Sequence, residues 1–413
     1  MSAAKAQPLR IALVIDLFPP IVGGAETHAR DLASEWVGAG AEVTVLTRRA
    51  REDLEDEEVL KSGVKVIRIG FPGSPRWGKY RFVPDLLREW KRRAGEFDLI
   101  YLCGFRVLGW PMAGAAAKSG VPIVLRAEVC GEMSGAFIWD RPGKGSSGVM
   151  RCLFRPLIRL RNHRLLRVGH FLSISSVITD EFRQAGVVPP RIRQISNGID
   201  TKRFAPVSEE EKHQLRAELE LPEGLVFLYS GKLNRGKGLP NLLSGWSEYV
   251  KRGGEGLLVL VGAGGGQFLS EEEDLVRRVS AEGLTDRVRF TGYRQDVERW
   301  LQAADIFVFP SEAESFGLAP LEANACGLPA ICTPAGALAE TVPEGIAGVR
   351  VPVGDAEALT GAMERLAAQP DLRRAIGETA RERVVREYSF HAVSEEHLDW
   401  FGELIGEGRR NHE

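Results

Sequence analysis

Glu314 and Glu322 lie eight residues apart in the segment 312–323, which reads EAESFGLAPLEA and follows an apolar run ending at Phe309. If this segment opens a helix, eight residues span a little over two turns, and both carboxylates can face one groove. The N–H groups of Phe316, Gly317 and Leu318 would then fall in the first turn, where backbone donors have no intrahelical partner and suit a phosphate. A second candidate is Ser230-Gly231-Lys232-Leu233-Asn234-Arg235-Gly236-Lys237-Gly238, again directly after an apolar run. Its glycines let the backbone approach an anion, and Lys232, Arg235 and Lys237 offer cations to its oxygens. Gly23-Gly24, ahead of a helical stretch, supplies another helix N-terminus with its positive dipole end. The chemistry this suggests is the holding of a diphosphate by backbone and cations. Each piece also has an ordinary structural explanation: a helix-dipole partner for Glu314, a solvated carboxylate for Glu322, a cationic surface loop for 231–238.

Several other chemistries are excluded or weakened. Neither Gly23-Gly24-Ala25-Glu26 nor Gly262-Ala263-Gly264-Gly265-Gly266-Gln267 completes G-x-G-x-x-G, so neither qualifies as a dinucleotide fingerprint. There is no G-x-x-x-x-G-K-[ST], which removes the P-loop kinases and ATPases. No Asp-x-Asp occurs, so no obvious carboxylate clamp holds a metal–diphosphate complex, and neither a bound metal nor a cofactor is expected. The five cysteines (103, 130, 152, 326 and 332) form no Cys-x-x-Cys pair, which fits a reducing cytoplasm and no disulfide framework. The apolar run 11–15 ends at Asp16, too short for a secretory signal, and no stretch approaches the ~18 apolar residues of a membrane span.

The elements that position these residues come from an alternation repeated twice. Segments 11–15, 42–46, 64–69, 99–102, 123–125, 170–173 and 192–195 read as strands, several of them continuous apolar runs as expected for strands covered on both faces, with helices at 25–37, 82–94 and 150–166 between them. A second array has strands at 226–229, 257–261, 288–291, 306–309, 330–332 and 349–351 and helices at 241–250, 314–325 and 356–367. Glycine, 46 of 413 residues, is about 11% against a usual ~7%, as many tight strand-to-helix turns require. The predicted fold class is α/β, with two doubly wound Rossmann-like domains facing a cleft. The domains expected are 1–205, on the N-terminal side, and 206–390, with a joint in 197–222. Helices at 381–388 and 392–404 end the chain, and the second carries an apolar stripe of Val393, Leu398, Trp400, Phe401 and Leu404.

Charge divides unevenly between these halves. Residues 1–205 hold 32 basic and 21 acidic side chains, net +11, and the remainder holds 22 and 35, net −13. No carboxylate occurs between Arg141 and Thr179, which contains Lys144, Arg151, Arg155, Arg159, Arg161, Arg164 and Arg167. Phe154, Leu157, Leu160 and Leu165 interleave at helical spacing. A basic amphipathic helix can lie on anionic lipid or gather an anionic substrate, although burial against a sheet also explains its apolar residues. Arg151, Arg155 and Arg159 are the candidate contacts with an anionic membrane surface, at the cytoplasmic face. Nucleic acid is disfavoured, because no zinc-finger spacing or RNA-recognition aromatic pattern accompanies the charge.

The sequence resembles the retaining, nucleotide-sugar-dependent glycosyltransferases of the glycogen-synthase-like group, family four, with the GT-B fold. The match covers nearly the whole chain. Its parts are Phe18-Pro19-Pro20 with Gly23-Gly24-Ala25-Glu26-Thr27-His28, Ile195-Ser196-Asn197-Gly198-Ile199-Asp200 with Phe204 and Pro206, the loop 231–238, and Phe290-Thr291-Gly292-Tyr293. Pro310-Ser311, Glu314, Phe316-Gly317, Glu322-Ala323, Cys326-Gly327-Leu328-Pro329 and Glu340 resemble the family's E-x7-E region. The resemblance implies transfer of a sugar from a nucleoside diphosphate to an acceptor hydroxyl with retention at the anomeric carbon. It places Glu314 on donor sugar hydroxyls, Glu322 on the nucleotide ribose, Tyr293 near the base, and Lys237 and Lys232 on the departing diphosphate. Preorganised cations and helix N-termini stabilise such leaving-group charge without a metal. Residues 391–413 should return to the N-terminal domain, the acceptor side, and a glycan or lipid-linked acceptor follows.

Three positions depart from the family pattern. Position 232 is Lys rather than Arg, replacing a bidentate fork by a point charge. Ala337 stands where a Gly-Gly turn has its second glycine. Glu128 stands where relatives often carry an active-site histidine, so that role is not carried over; Glu128 or Arg126 substitutes, or the acceptor side is built differently. Two competing functions are a non-catalytic nucleotide-sugar-binding protein and a GT-B epimerase or phosphorylase.

Overall fold

Strands covered on both faces cannot alternate in polarity, and the unbroken apolar runs are buried along their whole length at 99–103 and 226–230. The computed structural model describes residues 7–21, 23–70, 72, 78–136, 140–141, 145–146, 148–265 and 269–410. Two compact units emerge: unit 1 comprises Met1–Asp140, Ser146–Gly198 and Phe390–Glu413, and unit 2 comprises Arg141–Gly145 and Ile199–Ser389. The helices in chain order are α1 (Gly24–Gly38), α2 (Gly78–Arg93), α3 (Phe105–Ser119), α4 (Gly148–Val168), α5 (Ser176–Gln184), α6 (Glu209–Glu218), α7 (Leu239–Lys251), α8 (Glu272–Ala281), α9 (Val297–Ala303), α10 (Leu318–Ala325), α11 (Leu338–Thr341), α12 (Ala356–Ala368), α13 (Pro370–Tyr388) and α14 (Phe390–Arg410).

The large sheet of unit 1 has eight strands: β1 (Arg10–Ile15), β2 (Glu42–Arg48), β3 (Glu57–Val59), β4 (Lys65–Ile69), β5 (Leu99–Cys103), β6 (Ile123–Arg126), β7 (Gly169–Ser173) and β8 (Ile192–Gln194). Their order across the sheet is β8-β7-β6-β5-β1-β2-β4-β3, parallel throughout except for β3, which pairs antiparallel with β4 at the edge. Unit 2 carries β9 (Val226–Ser230), β10 (Leu257–Val261), β11 (Val288–Gly292), β12 (Ile306–Phe309), β13 (Ala330–Cys332) and β14 (Gly348–Arg350), ordered β11-β10-β9-β12-β13-β14 and all parallel. In both sheets the chain reverses its direction of growth beside the first strand, between β1 and β5 and between β9 and β12. The crevice beyond the carboxyl ends of such strands is where open α/β sheets bind ligands. The residues there are Gly23, Gly104 and Glu128 in unit 1, and the loops 231–238 and 310–317 in unit 2.

The doubly wound α/β expectation is met, and the last helix belongs to unit 1 as the resemblance implied. There α14 packs on α1 and on the sheet through an aromatic cluster. Phe401 meets Trp36 and Tyr101 edge-on with ring centroids 5.4 and 5.7 Å apart. The His397 Nδ1–H donates to the Val393 carbonyl at 2.7 Å, and its Nε2 accepts from the Tyr101 hydroxyl at 3.1 Å. Burial holds this imidazole neutral, with a pKa lowered to about 3.

Four differences from the sequence expectation have physical causes. The helix expected at 314–325 begins only at Leu318, because Gly317 sits at φ 90°, outside helical space, and leaves Glu314 in the preceding loop. The segment 197–222 is not a plain linker. Ser208 and Glu211 form a capping box that starts α6, a signature legible in Ser208-Glu209-Glu210-Glu211. The passage between units falls at Gly198–Ile199, earlier than the expected boundary at 205, since the Ile199 N–H donates to the Tyr388 carbonyl at 2.7 Å and Arg381 donates to the carbonyls of Thr201 and Phe204. Helix α3 was unforeseen: its run of small residues and internal Pro111 hide the helical period.

Phe401 is fully buried, so Phe401→Ala should cost about 3–5 kcal/mol by loss of transfer energy and creation of a cavity. Urea unfolding of the full chain checks this, and a cost below ~1 kcal/mol would show that α14 is not an integral layer of unit 1.

Candidate functional site

In unit 2 the turns after β9, β10 and β12 are laced together by the backbone. The Gly231 N–H donates to Val261 O at 3.0 Å, Leu233 N–H to Ala263 O at 3.2 Å, and Glu312 N–H to Gly236 O at 2.9 Å. They enclose a pocket of about 530 Å³ whose lining includes Gly231, Lys232, Gly262, Tyr293, Leu318 and Glu322. Leu318 begins α10, so the open end of that helix forms part of the wall, with no side-chain cap on its N–H groups. Lys232 is exposed and has no ion-pair or hydrogen-bond partner for its ammonium among the described residues. An unpaired cation beside an uncapped helix N-terminus is an anion site by construction.

Lys237 and Glu314 adjoin this pocket and pair with each other. Ser311 Oγ donates to the same Glu314 carboxylate at 3.0 Å, and the ammonium lies 5.6 Å from the centroid of the Phe309 ring. The Glu314 carbonyl accepts from Ala337 N–H at 3.1 Å. Here the departure at position 337 finds its explanation: Ala337 has an ordinary φ of −73°, which any residue adopts. Gly336 carries the strict demand, since it sits at φ 59° and a Cβ there would lie 2.0 Å from the Glu314 carbonyl oxygen.

Glu322 stands part-buried within α10. Burial raises its pKa to about 7; Arg203 pulls the other way and Glu298 adds to the rise. Arg203 donates to Glu298 at 2.6 Å and to Gln295 O at 2.7 Å, so most of its charge is already engaged.

Unit 1 gathers a separate cluster at the carboxyl ends of β5 and β6. Arg126 is buried, donates to Asn197 Oδ1 at 2.6 Å and pairs with Glu128. His28, on the helix that begins at Gly24, accepts from the Gly198 N–H through Nε2 at 2.9 Å, and burial together with Arg126 keeps it neutral. Glu132 accepts from the N–H groups of Phe105 and Glu128 at 2.8 and 3.1 Å. Burial, then the neighbouring Glu128, raises its pKa to about 7.

Of the residues singled out from sequence, the pocket of unit 2 collects Gly231, Lys232, Tyr293, Leu318 and Glu322. Lys237 and Glu314 join as a pair beside it. Phe316 turns its ring into the core against Tyr388, so only its backbone could meet a ligand. Gly23 and Gly24 start α1 in unit 1, where a Cβ on Gly23 would strike the Glu26 carboxylate; that carboxylate already lies over the helix end. Arg126 is turned inward rather than offered to solvent, which leaves Glu128 as the accessible member. Nothing in the sequence pattern marks Arg203 or Arg294, and the glycine run 262–265 lines the pocket without completing a dinucleotide signature. Gly266 and Gln267 of that run lie outside the described residues.

A carboxyl that titrates near 7 when folded and about 4.5 when unfolded opposes folding as pH rises between those values. Glu322→Gln should therefore flatten the fall in stability between pH 5 and pH 8. Thermal unfolding at both pH values checks this; an identical slope in wild type and variant would mean that Glu322 is ionised in the folded chain.

Comparisons with known proteins cover both halves of the chain. The profile of glycosyltransferase family 4 matches residues 22–203, and that of the glycosyl transferases group 1 matches 211–383. A D-inositol 3-phosphate glycosyltransferase from Salinispora tropica is 29% identical over 94% of this chain and 82% of its own. A GDP-mannose-dependent monoacylated alpha-(1-6)-phosphatidylinositol monomannoside mannosyltransferase from Corynebacterium glutamicum is 26% identical over 96% and 97%. Among solved structures, sucrose-phosphate synthase from Thermosynechococcus elongatus superposes with a TM-score of 0.77 at 24% identity, over 96% of this chain and 99% of that one. The Anabaena protein HepE, solved with UDP and glucose, gives 0.73 at 20% identity over 95% and 99%. With both halves matched in order and the fold shared along the whole length, the chain belongs to the family-four glycosyltransferases of the GT-B fold.

Proposed function

We propose that this glycosyltransferase takes a hexosyl group from a nucleoside-diphosphate sugar and attaches it, with retention at the anomeric carbon and without a divalent metal, to a glycan or lipid-linked hydroxyl. The observation that carries this is the pocket of unit 2, where an unpaired Lys232, the open end of α10 and Glu322 converge beside the Lys237–Glu314 pair. When the bond from the anomeric carbon to the diphosphate breaks, charge accumulates on the leaving oxygen while the sugar becomes oxocarbenium-like. Cations already fixed in place stabilise that charge at no reorganisation cost. Glu314, which fixes Lys237, also has a free oxygen for a sugar hydroxyl. Glu322 suits a ribose hydroxyl in either protonation state, accepting when ionised and donating when protonated. In unit 1, Glu128 takes the acceptor side, with Arg126 holding it in place. A binding protein without turnover is the competing reading; the intact Lys237–Glu314 and Glu322 arrangement disfavours it.

The setting proposed is the cytoplasmic face of a membrane. On α4, Arg151, Arg155 and Arg159 are exposed, and so are Leu153, Leu157 and Leu160, at 65, 60 and 64%. Leu165 and Arg161 are claimed by the fold instead: Leu165 is buried, and Arg161 donates to the carbonyls of Glu132 and Met133. Lys144 lies outside the described residues. Each exposed arginine contributes about 1 kcal/mol near an anionic surface, which gives weak and salt-sensitive attachment. Among the described residues no helix is long and apolar enough to cross a membrane. The relative from Corynebacterium, by its name, acts on a phosphatidylinositol mannoside, which supports a lipid-linked acceptor here.

Two sets of outcomes follow. Lys237→Ala should lower turnover of the nucleotide sugar by about two decades or more, whereas Glu322→Ala should act mainly on donor KM. Full activity of Lys237→Ala would remove the leaving-group role, and NMR of the product anomer together with assay in chelator tests retention and metal independence. The full chain should sediment with anionic vesicles at low salt and with neutral ones far less. Changing Arg151, Arg155 and Arg159 to Ala should abolish this; equal behaviour with both vesicle types would refute the membrane setting.

A further inference from the structure

A second cavity, of about 680 Å³, opens among α2, α3 and α4 of unit 1, and none of the residues placed on the donor or acceptor side lines it. Its walls include Leu87, Trp90, Trp110, Lys91, Lys118 and Arg164. Arg164 lies over the Trp110 indole with its guanidinium carbon 4.4 Å from the ring centroid. It reaches that position because residue 114 is glycine, where a Cβ would come within 3.0 Å of the same carbon. The guanidinium is thus held between an aromatic face and the α3 backbone, a fixed cation rather than a roaming one. None of Arg164, Lys91 and Lys118 has an ion pair among the described residues, and no carboxylate lines the cavity. Trp90 is 3% exposed, and its indole Nε1 has no hydrogen-bond partner among the described residues, although a buried N–H ordinarily finds one.

These features ask for one kind of occupant. Three uncompensated cations suit an anionic headgroup, while two indoles, Leu87 and Pro111 suit an alkyl chain. The exposed leucines of α4 point to its source. Leu153, Leu157 and Leu160 recur at helical spacing, and the next step of that stripe is Arg164 itself, so the apolar line on α4 ends at the cavity. We propose that this cavity binds a single anionic glycerophospholipid drawn from the membrane surface. For the source of that lipid, the inference rests on the membrane setting proposed above.

The test titrates the full chain with dihexanoylphosphatidylglycerol below its micelle concentration, by calorimetry, against dihexanoylphosphatidylcholine and inorganic phosphate. The anionic lipid should bind saturably and at least about tenfold more tightly than the zwitterionic one, with phosphate failing to displace it. Arg164→Gln should weaken it about tenfold or more. So should the double change Lys91→Gln with Lys118→Gln, at exposed positions that leave the fold intact. Equal binding of the two lipids, displacement by phosphate alone, or unchanged affinity in both variants would overturn the inference. Vesicle sedimentation separates this from the membrane setting: sedimentation without uptake of the short-chain lipid refutes the cavity alone, and uptake without sedimentation refutes the setting alone.

Discussion

The ion pair between Lys237 and Glu314 joins the turns that leave β9 and β12, the two adjacent strands at which unit 2 reverses its direction of growth. Around it side-chain and backbone contacts combine: Ser311 Oγ reaches both the Glu314 carboxylate and the Gly236 carbonyl, and the Glu312 N–H meets that same carbonyl. A partly buried pair of this sort is poor evidence for stability, since desolvation consumes much of the attraction. Its value lies in orientation. A cation held against a carboxylate and beside the Phe309 ring is positioned in advance, and electrostatic stabilisation works best when the charge is in place before the reaction needs it. The pocket beside it depends on the same lacing, because Lys232 and the start of α10 hang from those turns.

Unit 1 solves a different problem at the corresponding edge of its sheet. There the strongest cation is turned inward: Arg126 is buried and satisfied by Asn197 and Glu128. Glu128 and Glu132 stay close together, and the more buried of the two is pushed toward the neutral form. Where the family resemblance leads one to expect a histidine, this chain presents a carboxylate braced by a hidden guanidinium, while its buried His28 is kept neutral within the fold. The accessible chemistry on this side is hydrogen bonding to hydroxyl groups rather than attraction of anions. The positive charge of unit 1 is displayed elsewhere, on α4 and around the cavity that Arg164 and Trp110 frame.

Much of the fold was legible because parallel strands leave unbroken apolar runs, and β10, β12 and β13 fall on the residues expected. What periodicity could not show were elements whose core face is made of small residues, as in α3, or whose start is set by a left-handed glycine, as at Gly317. The pocket residues carried by glycine-rich turns were legible as a set. Their pairing was not: nothing in the spacing of Lys237 and Glu314 says that they touch, since the contact spans two turns brought together by sheet order. Arg203 was missed for the same reason, because its effect on Glu322 passes through tertiary structure. On α4 the sequence pattern offered four apolar residues without distinguishing their fates. Leu165 went to the core, Leu157 and Leu160 to the surface, and Leu153, which had not been singled out, joined the exposed stripe.

The most direct test of the account is a crystal structure of the full chain with a nucleoside diphosphate bound. The diphosphate should lie at the start of α10, with its oxygens about 3 Å from backbone N–H groups near Leu318 and from the Lys232 ammonium, and with Lys237 turned toward it. A diphosphate bound elsewhere in unit 2, or one that leaves Lys232 and the α10 N-terminus untouched, would contradict it.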